Sequence, residues 1–222
     1  MVREMLDWIR ALDDLLFPKA PSCPLCGTRP SLPIGSCRKC FESLAVLWQI
    51  STIHGLPYGS LFAYQGFARD VIHRMKYQSG YDAAAALGTM LGLALREEPS
   101  FSDIDVIIPV PLHSERLQQR GFNQSAVLAD NITRQWKRPI FTGIIRIKNT
   151  PSQSGLHSLA RRENVRGAFA ILPGYNLQGK KCLIIDDVIT SGWTFQSMAQ
   201  LIKGYGGMPV GAFLARAERD YS

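Results

Sequence analysis

The sequence predicts an α/β fold in which a parallel sheet is flanked by helices, preceded by a small cysteine-rich module. Apolar runs typical of buried strands alternate with segments of helical periodicity. One apolar run ends in two adjacent carboxylates, Asp186 and Asp187, and a loop of small residues follows. Four cysteines form two Cys-x-x-Cys pairs. A chain of 222 residues with 46% hydrophobic content suits one medium domain plus a small appendage.

The N-terminal part is predicted to contain an amphipathic helix, the cysteine module, a short helix and a linker, over residues 1–17, 21–41, 42–48 and 51–59. Acidic residues among the apolar ones of the first helix argue against an export signal. Gly55, Pro57 and Gly59 are turn residues, and they favour a linker there. We therefore expect a module over residues 1–50 and a second domain over residues 60–222.

The second domain alternates predicted strands with predicted helices. The strands are expected over residues 61–64, 105–110, 140–147, 168–171, 181–187 and 210–215. The helices are expected over residues 67–77, 82–98, 123–136 and 195–203. Strands that alternate with helices form parallel sheets, and such sheets bind ligands beyond the carboxyl ends of their strands.

The paired cysteines predict a structural zinc site. The four predicted ligands are Cys23, Cys26, Cys37 and Cys40. Two such pairs ten residues apart can converge as four thiolates around tetrahedral zinc, which leaves no position for water. Disulfides would need an oxidising compartment, and a single redox pair would not explain the second pair. The fifth cysteine, Cys182, lies in an apolar strand and is expected in the core.

The acidic pair and the loop after it predict a sugar-phosphate site. Backbone N–H groups of such a loop and of the first helical turn point at a phosphate, and the helix dipole favours its charge. Thr190, Ser191 and Thr194 add hydroxyl donors, while Gly192 lets the backbone approach closely. The two carboxylates can accept hydrogen bonds from ribose hydroxyls. The alternative is that the pair merely caps a strand and the loop is structural.

Positive charge is concentrated in one part of the chain. The formal net charge is +7, and residues 111–170 alone account for all of it. Concentrated positive charge favours a polyanionic partner, either a pyrophosphate or a nucleic acid. A solvated basic face without a partner is the alternative.

The loop pattern resembles the 5-phosphoribosyl-1-pyrophosphate (PRPP) signature of type I phosphoribosyltransferases, and the whole chain resembles the ComF family of competence proteins. The resemblance rests on the cysteine module, Met75-Lys76-Tyr77, Pro109-Val110-Pro111-Leu112-His113, Arg116, Leu117, Arg120-Gly121-Phe122-Asn123-Gln124, Arg146, Thr150, Gln153, Leu156, Arg161, Asn164, Ala168-Phe169, Asp186 to Thr194 and Ala215-Arg216. It implies a type I phosphoribosyltransferase-like parallel sheet flanked by helices, with a small N-terminal four-cysteine zinc module. It also implies a role in natural competence, the uptake or use of external DNA.

The resemblance and the chemistry of these side chains together suggest how PRPP would bind. Asp186 and Asp187 would hold the ribose hydroxyls, with Arg161 stabilising the leaving group. The PRPP-binding set is expected to comprise Val188, Ile189, Thr190, Ser191, Gly192, Trp193, Thr194, Arg116, Arg120 and Lys76. Magnesium would accompany the pyrophosphate. Residues 150–164 are polar and lack periodicity, so they are expected to form a lid that closes over the reacting centre.

Two functional hypotheses from different classes follow. The first is an enzyme that transfers phosphoribosyl from PRPP to an unidentified acceptor. The second is a non-catalytic, zinc-bearing adaptor that binds single-stranded DNA or competence, helicase or recombination proteins. The uncharged helical stretch over residues 83–95 is too short to span a bilayer. A cytoplasmic protein without membrane insertion is therefore expected.

Overall fold

The computed structural model describes residues 22–28, 32–76, 80–149 and 167–217. The predicted helix over residues 1–17, the predicted lid over residues 150–164 and Arg161 lie outside these ranges. The strands are β1 (Gln49–Ile53), β2 (Leu56–Ala63), β3 (Val106–Pro109), β4 (Ile144–Arg146), β5 (Phe169–Ile171), β6 (Lys181–Ile189) and β7 (Met208–Arg216). The helices are α1 (Arg38–Leu44), α2 (Gly66–Met75), α3 (Tyr81–Glu97), α4 (Ser114–Arg120), α5 (Gln124–Trp136) and α6 (Trp193–Gly204), with a 3-10 turn over Pro99–Phe101.

The central sheet is mixed and mostly parallel. Its strand order is β1-β2-β7-β6-β3, in which β2, β7, β6 and β3 run parallel and β1 pairs antiparallel with β2. A separate antiparallel pair joins β4 to β5. Because the parallel strands share a direction, their carboxyl ends lie at one edge of the sheet. The predicted acidic pair falls at this edge.

Both faces of the sheet are covered, as the apolar strands require. Leu183 and Ile185 of β6 pack into a core with α2, α3 and α5, whereas Cys182 and Ile184 pack into a second core with α6. Cys182 is fully buried, so its predicted place in the core is confirmed. The predicted class, a parallel sheet flanked by helices, is likewise confirmed. The helices within the described ranges are too short or too polar for any of them to traverse a lipid bilayer.

The cysteine module packs against the larger core. Leu25, Cys40 and Leu44 are buried in the same hydrophobic cluster as Ile72 and Met75 of α2. The short helix begins earlier than predicted, because α1 starts directly after Cys37 and contains Cys40. This arrangement places the second pair of cysteines at the start of a helix.

The predicted linker over residues 51–59 is wrong, because these residues belong to a β-hairpin. Strands β1 and β2 pair from Gln49↔Ser60 to Ile53↔Leu56, and His54 and Gly55 make the turn with φ of 53° and 72°. Positive φ at both turn residues is the geometry that tight hairpins need. The turn residues therefore mark a hairpin and not a linker. The pairing of β2 with β7 joins this hairpin to the central sheet.

Arg116 and Arg120 lie on α4, a helix that is absent from the predicted elements. The His113 side chain accepts a hydrogen bond from the backbone N–H of Glu115 at the start of this helix, and Gly121 ends it with φ of 80°. No residue of α4 is buried, so it carries no apolar stripe that periodicity could detect. The strand predicted over residues 140–147 is shorter than expected, because only the segment Ile144–Arg146 pairs as a strand.

Candidate functional site

A cavity of about 580 Å³ opens at the carboxyl edge of the parallel sheet. It lies at the ends of β3 and β6. Residues of α4 and the first residues of α5 and α6 also line it. Most of the predicted PRPP-binding residues line it together. They are Lys76, Arg116, Arg120, Asp186, Asp187, Val188, Ile189, Thr190, Gly192, Trp193 and Thr194.

The acidic pair is held by partners from two helical segments. Ser125 Oγ, on the first turn of α5, donates a hydrogen bond to Asp186 Oδ1 at 2.8 Å. Lys76, directly after α2, places its Nζ 3.3 Å from Asp187 Oδ2. Successive side chains of a strand point to opposite sides, which explains why the two carboxylates meet different elements. The pair is thus oriented before any ligand arrives.

The acidic pair is also electrostatically strained. Burial, and then the negative charge of Asp187, raise the pKa of Asp186 to about 7. Burial would lower the pKa of Lys76, but the attraction of Asp187 prevails and raises it. Lys76 therefore stays charged beside the carboxylates, and a single cation balances two acids. Such perturbed groups in a cleft are typical of functional sites.

Residues 188–194, called the phosphate loop after their predicted ligand, run from the last two residues of β6 through a turn over residues 190–192 to the first two residues of α6. Gly192 is the N-cap of this helix and has φ of 75°, a left-handed conformation that glycine adopts without cost. A Cβ at Gly192 would lie 2.6 Å from Ile53 Cδ1, so the hairpin packs closely against the loop. His54 at the hairpin turn has Nε2 2.8 Å from the carbonyl oxygen of Ser191, and its ring stacks on Trp193 with centroids 4.1 Å apart.

Ser191 differs from its neighbours in the phosphate loop. It is absent from the cavity lining, and its hydroxyl is buried with no hydrogen-bond partner in the described part of the chain. Its carbonyl, rather than its side chain, makes the contact to the hairpin. Thr190 and Thr194 are the hydroxyl residues of this loop that face the cavity.

Three arginines from two elements line the cavity. Arg116 and Arg120 come from α4, and Arg146 is the last residue of β4. Burial and the charge of Arg120 lower the pKa of Arg116, while burial and the charge of Arg116 lower the pKa of Arg146. Cations that are crowded and partly desolvated in this way favour an anionic ligand over water.

The cavity also contains residues that sequence reasoning did not assign to the site. Tyr64, His73 and Ser125 line it, and none of them belongs to the phosphate loop or to the basic residues. Tyr64 follows β2, and its backbone N–H donates to the carbonyl of Arg216 at the end of β7. The position of Tyr64 depends on strand order, which the sequence does not encode locally.

The four cysteines form a second site, and their sulfur atoms all lie within 4.8 Å of one another. Cys26 Sγ and Cys37 Sγ are 3.9 Å apart, and the backbone N–H of Cys37 donates to Cys23 Sγ at 3.2 Å. Tetrahedral zinc with Zn–S bonds of about 2.3 Å separates its sulfur ligands by about 3.8 Å. Hydrogen bonds from Thr28 lower the pKa of Cys26 to about 6, which favours its thiolate form. The cluster therefore fits a zinc ion.

Comparison with known sequences identifies relatives over most of the chain, although no family model matches it. The chain is 33% identical over 201 residues to the DNA utilization protein YhgH of Escherichia coli O157:H7, a match that covers 85% of this chain and 80% of that protein. It is 32% identical over 141 residues to Competence protein F of Haemophilus influenzae, which covers 61% and 62% of the two chains. It is 25% identical over 183 residues to Competence protein ComFC of Bacillus subtilis, which covers 81% and 70%. The chain thus spans less than two thirds of the length of Competence protein F.

The solved structures that match include two phosphoribosyl enzymes. Glutamine PRPP amidotransferase from Bacillus subtilis, complexed with ADP and GMP, matches with a TM-score of 0.43 and 19% identity over 65% of this chain and 30% of that chain. Adenine phosphoribosyltransferase from Thermoanaerobacter pseudethanolicus matches with a TM-score of 0.40 and 14% identity over 79% of this chain and 87% of that chain.

The sheet topology, the carboxylates at its edge and the cysteine cluster together define the class of protein. It is an α/β protein with a mostly parallel sheet, a carboxylate pair at the carboxyl edge of that sheet and a four-cysteine cluster near its N-terminus. The family follows from the relatives, of which YhgH shares 33% of the sequence over 85% of this chain and 80% of its own. The chain belongs to the ComF family of competence proteins.

Proposed function

We propose that the protein binds PRPP with magnesium in this cavity and transfers its phosphoribosyl group to an acceptor. One observation carries the proposal. The carboxylate pair, the phosphate loop and the arginines of α4 line the same cavity. PRPP combines a ribose, a 5′-phosphate and a pyrophosphate, and each of these groups has a matching set of side chains here.

The chemistry of each part follows from its residues. Carboxylates of Asp186 and Asp187 accept hydrogen bonds from the ribose 2′ and 3′ hydroxyls, and they favour positive charge on the sugar as its bond to pyrophosphate breaks. The phosphate loop donates backbone N–H groups to the 5′-phosphate. Arg116 and Arg120, with Lys76 in the same cavity lining, offset the charge of the pyrophosphate by charge-assisted hydrogen bonds. Magnesium, when bound, would neutralise further negative charge on the pyrophosphate oxygens.

The biological setting is inferred from the family. Relatives are called competence proteins and DNA utilization proteins. We infer a role for this protein in the uptake or use of external DNA. The acceptor of the phosphoribosyl group would then belong to that process.

Calorimetry with PRPP and magnesium tests the binding proposal. The double variant Asp186→Asn, Asp187→Asn should lose binding, because amides accept hydrogen bonds more weakly than carboxylates and carry no charge. Asp130→Asn is the matched control, since Asp130 is exposed on α5 and away from the cavity lining. Equal affinity in the wild type and the double variant would show that the pair is only structural.

A second candidate function is a non-catalytic adaptor that binds single-stranded nucleic acid. The specific observation that favours it is the +7 charge of residues 111–170, which exceeds what one pyrophosphate needs. Release of pyrophosphate separates the two functions. An enzyme should release pyrophosphate from PRPP when nucleobases, amines or DNA are supplied. An adaptor should bind nucleic acid but release no pyrophosphate.

A further inference from the structure

Gln124, the first residue of α5, has a buried amide nitrogen that lacks a hydrogen-bond partner among the described residues. The residue lines the cavity and is only 2% exposed, and its Nε2 has no hydrogen-bond partner in the described part of the chain. Buried polar groups in folded proteins almost always have partners, because leaving a donor unpaired costs free energy. An exception inside a ligand-sized cavity needs an explanation.

By contrast, polar side chains near Gln124 in the chain make hydrogen bonds within the protein. Asn123 donates from Nδ2 to the Val110 carbonyl at 3.1 Å and accepts from the Ser125 N–H at 3.0 Å. Ser125 donates to Asp186, and Asn131, further along α5, donates from Nδ2 to the Val127 carbonyl at 2.9 Å. The fold therefore pairs the amides of Asn123 and Asn131 but leaves Nε2 of Gln124, a residue of the cavity lining, without a partner among the described residues. A donor kept in this way is available to a ligand.

The position of Gln124 indicates which group the ligand presents. It follows Arg120 by four residues in the chain, and its neighbour Ser125 holds Asp186. It lines the same cavity as the arginines of α4 and the acidic pair. An N–H donor here suits an anionic oxygen, and the dipole at the N-terminus of a thirteen-residue helix adds to that preference.

We propose that Gln124 is a ligand-binding residue whose Nε2–H donates a hydrogen bond to a pyrophosphate oxygen. This inference rests on the proposed function, since it deepens the same site. The side chain adds a neutral, directional donor to the charged arginines. It distinguishes a pyrophosphate seated against α5 from an anion that is merely attracted to the basic surface.

Gln124→Met tests this role, because methionine has similar length and helix propensity but no donor. With magnesium present, calorimetry should show affinity for pyrophosphate about ten-fold weaker than in the wild type, as expected for the loss of one hydrogen bond to a charged group. Affinity for ribose 5-phosphate should change less than two-fold. The melting temperature of the free protein should stay the same or rise, because an unpaired buried donor has been removed.

Asn131→Leu is the matched control, since Asn131 is a buried amide on the same helix whose hydrogen bond is made. It should lower the melting temperature and leave pyrophosphate affinity unchanged. Gln124→Leu serves as a second variant if the methionine variant fails to fold.

The outcomes separate this inference from the function on which it rests. Wild-type binding of pyrophosphate that the Gln124 variants retain in full would overturn the role of Gln124 and leave the proposed function standing. Wild-type binding of pyrophosphate without binding of PRPP would overturn the proposed function alone. Binding of neither ligand would overturn both.

Discussion

Asp186 and Asp187 are neighbours in sequence, but they have different partners. Asp186 accepts a hydrogen bond from a neutral hydroxyl, whereas Asp187 lies beside the ammonium of Lys76. Lys76 therefore forms its ion pair with Asp187 and acts on Asp186 only from a greater distance. Burial, and then the negative charge of Asp187, raise the pKa of Asp186 to about 7. A ligand that brings hydroxyl donors or a metal would relieve the strain.

The raised pKa of Asp186 predicts a pH dependence of stability. The folded protein retains this proton between about pH 4 and 7, whereas the unfolded chain has already lost it. Folding stability from this group is therefore present at low pH and is lost as pH rises through that window. Asp186→Asn should remove the effect, so the variant should gain stability relative to wild type by at most about 4 kcal/mol at pH 8.

Thermal or denaturant unfolding at pH 5 and pH 8 measures this difference. Asp130→Asn provides the comparison, because that exposed residue should behave alike at both pH values. A gain for Asp186→Asn of the same size at pH 5 and pH 8 would contradict the assignment of the titration to Asp186.

The elements that sequence could predict are those whose pattern is local. β6 and its loop were predictable because an apolar run, two carboxylates and a glycine lie side by side in the chain. The hairpin β1–β2 was not, because glycine and proline mark hairpins and linkers alike, and pairing with β7 decided between them. Helix α4 was hidden since it buries none of its residues. Contacts such as that of Ser125 with Asp186 join residues 61 positions apart, so only the fold places them together.

Helix α2 connects the cysteine cluster to the cavity. Arg74 Nη2 donates to the Leu25 carbonyl in the first cysteine pair at 2.7 Å, and two residues later Lys76 reaches Asp187. On the other side of the module, a Cβ at Gly35 would lie 3.0 Å from the backbone of Ala86 on α3. The cluster is thus built into the domain that carries the candidate site.

This arrangement predicts that zinc stabilises the whole described fold. Purified protein should contain about one zinc per chain, because four thiolates within 4.8 Å of one another complete a tetrahedral site. Removing the metal with a chelator should lower the melting temperature of a single transition, since module and domain share one core. Native mass spectrometry and a thermal melt provide the two readouts.

Cys40→Ser should reduce the zinc content, whereas Cys182→Ser should not, because Cys182 is buried in β6 and is not part of the cluster. A stoichiometry near zero in folded protein that has never met a chelator would contradict the zinc assignment.

Charge at the scale of the whole molecule complements the local site. Residues 111–170 carry the entire net charge, and three of their arginines line the cavity. The rest of the chain has no net charge, so the positive electrostatic field of the protein originates in this one segment. Such asymmetry attracts a polyanion from a distance, and the cavity then selects among the anions that arrive. PRPP and nucleic acid would compete for the same attraction.

That competition predicts a salt-sensitive affinity for single-stranded DNA. Each phosphate contact releases bound counterions, so log affinity should fall linearly with log salt. Changing Arg161 and Arg162 together to Ala should flatten this slope by roughly one to two units, if each arginine contacts a phosphate. Fluorescence anisotropy with a labelled oligonucleotide at several salt concentrations measures the slope. Lys180→Ala with Lys203→Ala is the matched control, because it removes the same charge outside the basic segment.

Pyrophosphate added to the same assay locates the DNA. If pyrophosphate displaces the oligonucleotide, the DNA binds across the cavity, because both ligands would then bind the arginines of α4. Simultaneous binding would place the DNA on the remaining basic residues. Because counterion release makes phosphate contacts strongest at low ionic strength, a lack of binding there would exclude direct contact with DNA. Competence would then depend on a protein partner or on phosphoribosyl chemistry alone.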